Sequence, residues 1–449
     1  MNWEKLISSK RLGMEELYRE NRIDDRSEFQ RDYDRIIFCS PFRRLQNKTQ
    51  VFPLPGSIFV HNRLTHTLEV ASVGRSLGSI LASKLIESGE ADLNKVGEIG
   101  SVVGAACLAH DLGNPPFGHS GEDGISEFFT NGAGLQYQSL LDEKEWSDLT
   151  CFDGNANAFR ILTHQFKGRR PGGFALTYST LASIVKYPFE SIEASPDKKK
   201  FGFFQSEKDI FLNVAHELGL IGVNEDPVRF NRHPLVYLVE AADDICYQVM
   251  DIEDAYKLKI LSYEKTRDLF LNFYDESAEE AKIGRIKDIL NRVTDPNEQI
   301  AFLRAGVINQ LTNACSTIFW DNRTDILNGV FEGTLIKRLE GKLSLAMNQV
   351  QQLSFDQIYN HSSVVQIEIA GFRIMGTLME ELSQALMQPK LNYSKKLISL
   401  IPEQYLKVGA TNYEKLQSVV DFVSGMTDLY ALDLYRKLKG ISVPGLRER

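Results

Sequence analysis

The chain has 449 residues, 43% hydrophobic and 25% charged, a usage that suits a globular protein with a large core and excludes disordered, collagen-like or coiled-coil-only chains. Its net charge of -9 argues against a protein whose main task is coating nucleic acid, and no apolar run reaches the roughly 18 to 20 residues of a membrane span. The N-terminal MNWEKLISSKRLG lacks the apolar centre of a signal peptide, and Cys39, Cys107, Cys151, Cys246 and Cys315 are scattered without a CxxC pair, so a reducing cytoplasm is the expected compartment.

Helical periodicity dominates, and the expected fold is mainly α. The first clear exception is KTQVFPLPGSIFVHNR, 48–63, where two β-rich runs flank Pro55-Gly56 and predict a small hairpin. From 65 to 86, His66, Val70, Val73, Leu77 and Leu81 recur every three or four residues and predict a helix with His66 in its first turn. Residues 98–111, EIGSVVGAACLAHD, are rich in Gly and Ala. Such side chains let a neighbouring helix come close, so a buried central helix is predicted, stopped by Asn114-Pro115-Pro116. Ser120 followed by Asp123 reads as a helix start, with His119 and Glu122 beside it. Loops are expected near 167–174, 194–202 and 222–234. His233-Pro234 then opens a helix running to about 258. Amphipathic stretches follow at 276–293, 298–318, 327–353, 363–388 and 412–438. The expected organisation is a helical core over 1–265 with a helical C-terminal region, 266–449, packed on it.

Three features bear on chemistry. His66 sits near a helix start, His110-Asp111 ends the small-residue helix, and Asp243-Asp244 interrupts the apolar LVYLVEAADDICYQV. Singly, each is commonplace: a core histidine, a chance dipeptide, a solvated acidic face. An acidic pair inside a buried helix costs several kcal/mol if unpaired, however, so a cation is expected opposite it. Two imidazoles and two carboxylates from different helices make a mixed N/O site suited to first-row transition metals, with Mg tolerable. There is no GxxxxGK[ST] and no strand-GxGxxG-helix unit, so a glycine nest for phosphate is absent from the sequence.

The order H…HD…D resembles the HD superfamily of metal-dependent phosphohydrolases. SPFRRLQNKTQVFPLPGSIFVHNRLTHTLEVA, LAHDLGNPPFGHSGE and YLVEAADDICYQVMDIEDA are similar, more narrowly, to bacterial deoxyguanosine triphosphate triphosphohydrolases, over about 20–260. The resemblance implies an HD-type helical core and a divalent metal ion (Mn, Mg or another first-row metal) held by His66, His110, Asp111 and Asp243. Asp243 is preferred over Asp244 because Asp243, Tyr247 and Asp251 are spaced i, i+4, i+8 on one helix face. The resemblance also implies a catalytic pair, His119 and Glu122. A carboxylate on one ring nitrogen equips the other for proton transfer. Substrate contacts are implied for Gln50, at the deoxyribose 3′-hydroxyl, and for Arg63, Asn157, Lys186, Tyr187, Tyr247 and Asp251, with Lys200 a further candidate.

The implied activity is hydrolysis of dGTP at the α-phosphorus to deoxyguanosine and inorganic triphosphate. Other dNTPs stay open as substrates, and so do a different nucleotide specificity and a nucleotide-sensing or nucleic-acid-binding module with an inactive site. Homo-oligomers and single-stranded DNA as a regulator are family expectations, though the charge shows no sign of the latter, and no membrane partner is expected.

Overall fold

The computed structural model describes residues 1–15, 26–53, 60–92, 96–195, 197–275 and 280–442. Helices dominate it, as the periodicity predicts. The His66 helix, Arg63–Glu87, starts where Asn62 and Thr65 cap one another: the Asn62 side chain accepts from Thr65 N at 3.0 Å and Thr65 Oγ1 accepts from Asn62 N at 3.1 Å. Its buried face carries His66, Val70, Val73, Leu77 and Leu81.

The small-residue helix, Ile99–Ala109, is buried almost all round. It lies so close to the His66 helix that a Cβ on Gly78 would stand 2.9 Å from the Gly100 Cα. No side chain fits between those backbones. Gly78→Val is expected to destabilise the protein by at least about 2 kcal/mol, because overpacking against backbone has no flexible neighbour to yield. An unchanged midpoint of thermal unfolding would show that this helix contact is not as tight as described.

The third central helix, Val236–Lys257, carries Asp243 and packs across the His66 helix. It starts two residues after Pro234, not with it, and without a side-chain cap; the His233 ring accepts from Leu235 N at 3.2 Å just before the first turn.

Two hydrophobic cores form. The first surrounds the three central helices and takes in apolar residues from Leu269 to Val364. The second joins Phe117, Ile125, Phe128 and Phe129 to Ile374, Met375, Leu378, Leu416 and Val420. The segment following His110-Asp111 is therefore packed against the C-terminal helices, Ser362–Met387 and Asn412–Ser424.

Some boundaries differ from expectation. The stretch 412–438 is two helices, Asn412–Ser424 and Asp428–Leu438, broken at Gly425 and restarted by the Thr427 side chain on Tyr430 N. The stretch 327–353 becomes regular only at Gly341–Leu353, preceded by a short 3-10 turn, Ile336–Arg338. Among the described residues the one sheet is a two-stranded antiparallel ladder, Gly222–Glu225 with Val228–Phe230, inside a stretch expected to be a loop. Buried Glu190 anchors it, its carboxylate accepting from Val228 N and its own N–H donating to Val228 O. The hairpin expected at 48–63 has its turn, 54–59, outside the described residues. Its described flanks meet at one bridge, Thr49 to Asn62.

Candidate metal centre and cleft

His66 occupies the first turn of its helix and is 2% exposed. His110 ends the small-residue helix, where its Nδ1–H donates to the Cys107 carbonyl at 2.6 Å. In the neutral ring that bond places the proton on Nδ1 and leaves the lone pair on Nε2, a buried atom that makes no hydrogen bond among the described residues. Ligand atoms of His66, His110 and Asp111 all lie within 4.8 Å of one another. Asp243 reaches the same point from the third helix: its Oδ1 is 3.0 Å from His66 Nε2 and 3.5 Å from His110 Nε2. The separation from His110 Nε2 to Asp111 Oδ1 is 3.6 Å. Atoms about 2.1 Å from a shared cation stand about 3.0 to 3.4 Å apart in octahedral or tetrahedral geometry. His66, His110 and Asp111 therefore form a cluster able to hold one divalent metal ion, with Asp243 beside it, and the orphaned imidazole nitrogen is what such an ion satisfies.

Electrostatics agree. Burial opposes a charge on His110, but the carboxylates of Asp111 and Asp243 outweigh it and lift its pKa to about 9. Burial likewise opposes the Asp243 carboxylate, which His110 and His66 nevertheless hold well below the usual range. The cluster stabilises positive charge at its centre. Asp111 is oriented from outside: Arg63 Nη1 donates to its Oδ2 at 2.9 Å, and Asn114 donates to its Oδ1. Asp244, the neighbour of Asp243, stands outside the quartet and is pushed up to about 7 by burial and by Asp243.

The metal cluster opens into a cleft of about 490 Å3. His119 is the first residue of the next helix, His119–Thr130, after Phe117 and Gly118, which have φ of 64° and 61°. A Cβ on Gly118 would also stand 2.9 Å from Arg63 Nη2, so glycine suits that turn twice over. The expected Ser120 cap is absent, since the Ser120 hydroxyl donates back to the Phe117 carbonyl at 3.0 Å. His119 Nδ1 meets Glu122 Oε2 at 2.9 Å. The hydrogen bond and charge of Glu122 raise the imidazole pKa. Burial works against the Glu122 carboxylate, but the bond from His119 and the charge of Lys200 bring it down to about 2. Its Oε1 accepts from Gly154 N at 2.8 Å, so the pair is held in place. The His119 side chain is 83% exposed, with Nε2 free for a substrate.

Gln50, Arg63, Lys186, Tyr187, Lys200 and Tyr247 line the same cleft. Gln50 Oε1 is buried without a partner and so is available to accept a bond. Lys186 is paired with Glu240 at 3.0 Å, which keeps its ammonium charged despite burial. Two candidates are elsewhere. Asn157 is fully buried, its amide donating to the Gly113 carbonyl at 2.7 Å and to Ser424 Oγ at 3.1 Å, so it supports the floor and does not line the cleft. Asn155, two residues earlier, lines it instead. Asp251 is buried behind the wall, accepting the Tyr359 hydroxyl at 2.8 Å. Tyr359 itself is a lining residue that motif reading missed. Its ring stacks on Tyr247 with centroids 5.8 Å apart and planes at 20°. Glu368 also lines the cleft from the C-terminal region. Neither lies in a segment with a recognisable motif.

Comparison with known proteins agrees with this geometry. The HD domain family matches residues 63–218, and the phosphohydrolase-associated domain family matches 338–437. A deoxyguanosinetriphosphate triphosphohydrolase-like protein of Synechocystis is 39% identical over 99% of this chain and 100% of its own length. One from Pseudomonas aeruginosa is 35% identical over 99% of this chain and its whole length. A deoxyguanosinetriphosphate triphosphohydrolase of Klebsiella pneumoniae is 30% identical over 92% of this chain and 94% of its own. No helix among the described residues is long and apolar enough to cross a membrane.

Proposed function

Because the chain belongs to the deoxyguanosinetriphosphate triphosphohydrolase family of HD-domain phosphohydrolases, metal-dependent hydrolases, we propose that it hydrolyses dGTP at the α-phosphorus, releasing deoxyguanosine and inorganic triphosphate. The observation that carries this reading is the convergence of a His-His-Asp-Asp cluster and a carboxylate-oriented histidine on one cleft. The cofactor is a divalent metal ion, which His66, His110, Asp111 and Asp243 would hold. Two nitrogen ligands favour manganese or another transition metal over magnesium. Bound there, it supplies Lewis acidity toward the α-phosphate.

The protein's own groups do the rest. His119, protonated through its bond to Glu122, gives a proton from Nε2 to the departing 5′-oxygen. Lys186 and Lys200 supply positive charge to the triphosphate from the cleft wall. Gln50 offers its unpartnered amide oxygen to the 3′-hydroxyl, and the stacked Tyr247 and Tyr359 close the sugar side against a 2′-hydroxyl. Five free cysteines suit a cytoplasmic home.

The test is a product assay. Purified protein with Mn2+ is incubated with each of the four dNTPs and four NTPs, and products are separated by chromatography. Deoxyguanosine with inorganic triphosphate from dGTP, and no turnover of GTP, is expected. Release of orthophosphate or pyrophosphate would overturn the α-phosphorus assignment. Faster turnover of another dNTP would overturn the base assignment.

A further inference from the structure

A second pocket, of about 150 Å3, lies apart from the metal cleft and shares none of its lining residues. It is bounded by the short helix Ser40–Arg44, by Phe166 and Arg169 of the loop after Thr163, and by Asp421 and Gly425 at the end of the Asn412–Ser424 helix. Two arginines, Arg44 and Arg169, face it, and both are half-buried.

Among the described residues neither arginine makes an ion pair. Arg169 Nη1 is buried and donates to nothing. Its guanidinium lies over Phe174, 4.4 Å from the ring centroid, and over Phe166 at 5.2 Å, which fixes its plane. Asp421 is the carboxylate in the pocket wall, but Arg160 takes both of its oxygens, at 2.7 and 2.8 Å. The contrast with Arg160 is informative. That arginine is more deeply buried and has Asp421 and Glu207 as partners. Burial lowers the Arg169 pKa, and the like charge of Arg44 adds to the effect. Two half-buried cations side by side, with no ion pair of their own among the described residues, favour an anion between them. Forked, planar donors select oxyanions over halides. The volume has room for one tetrahedral anion with water around it.

We propose that Arg44 and Arg169 form a binding site for a phosphate-class oxyanion, separate from the metal cleft. The anion ties the Ser40–Arg44 helix to the 166–169 loop. That helix leads directly into Lys48 and Gln50, so the site adjoins the segment that forms one wall of the cleft. A larger cavity of about 530 Å3 shares Phe166, Gln404, Tyr405 and Asp421 with the pocket. In it the buried Gln417 amide has neither donor nor acceptor satisfied, which gives a phosphoester's organic part somewhere to go.

Calorimetric titration of the full chain with Mn2+ tests the site. Orthophosphate is the first probe, and deoxyguanosine monophosphate, the same dianion on a nucleoside, is the second. Arg169→Gln and Arg44→Gln are each expected to weaken a phosphate binding event by about tenfold or more. Their dNTP hydrolysis in phosphate-free buffer should stay within about twofold of wild type. Phosphate bound at the metal cleft is identified by its loss in Asp243→Ala. If that were the sole event, or if both arginine variants bound phosphate like wild type, the proposal would be overturned. Arg44→Gln carries the test should Arg169→Gln fail to fold. Tighter binding of the monophosphate, abolished by Gln417→Ala, identifies the anion as part of a nucleotide. Equal affinities identify free phosphate as the ligand.

Discussion

Asp243→Ala is expected to abolish metal binding and hydrolysis together, with kcat/KM falling more than about 10^3-fold, since even outer-shell changes at metal sites cost about 10- to 100-fold. The reason is geometric. Asp243 Oδ1 is the atom that closes the cluster, within 3.0 and 3.5 Å of the two imidazoles. Without it, His66, His110 and Asp111 lose the carboxylate that the third helix brings against both imidazoles, and the negative charge closest to the cation is halved. Metal content and activity should be measured on the same preparation. Asp244→Ala is the matched control and should keep the metal: Asp244 also lines the cleft, but it is about 100° further round the helix, and the contacts to His66 and His110 are made by Asp243. A metal-replete, inactive Asp243→Ala would assign the residue to chemistry and not to ligation.

The second large effect is at His119. His119→Ala should retain metal and lose about 10^2- to 10^4-fold in kcat, the range expected for a positioned proton donor. Glu122→Gln should act differently. Glu122 raises the His119 pKa by bonding Nδ1 and by its charge. An acid that must be protonated works until pH rises through its pKa, so the wild-type rate falls on the alkaline side. Removing the carboxylate lowers that pKa, and the alkaline limb should move to lower pH. A limb that stayed in place would mean that His119 is not the group titrating.

The cluster was legible from three features that are commonplace singly and point to a metal site only in the order H…HD…D. Periodicity puts His66 on a buried face, and an acidic pair inside LVYLVEAADDICYQV requires a cation nearby. The resemblance then named the partners, and His119 with Glu122, which the structure brings together. What failed failed for rotational reasons. Asn155 and Asn157 are two residues apart on one helix, hence about 200° apart around it, so one faces the cleft and the other the floor. Asp251 is eight residues beyond Asp243, which adds about 80° of rotation and about 12 Å of rise, and its carboxylate ends behind Tyr359. Tyr359 was illegible because no pattern marks it: it closes a π-type turn, Ser354–Tyr359, and reaches the cleft only through tertiary packing. The ladder at 222–230 lacked the alternation of a half-buried strand, since the first strand is exposed along its whole length.

The central claim is that four side chains from three helices hold one cation. Anomalous diffraction from crystals grown with Mn2+ tests it most directly. One strong peak about 2.0 to 2.4 Å from His66 Nε2, His110 Nε2, Asp111 and Asp243 is the expected result. A peak elsewhere in the cleft, or none at saturating manganese, would contradict the account.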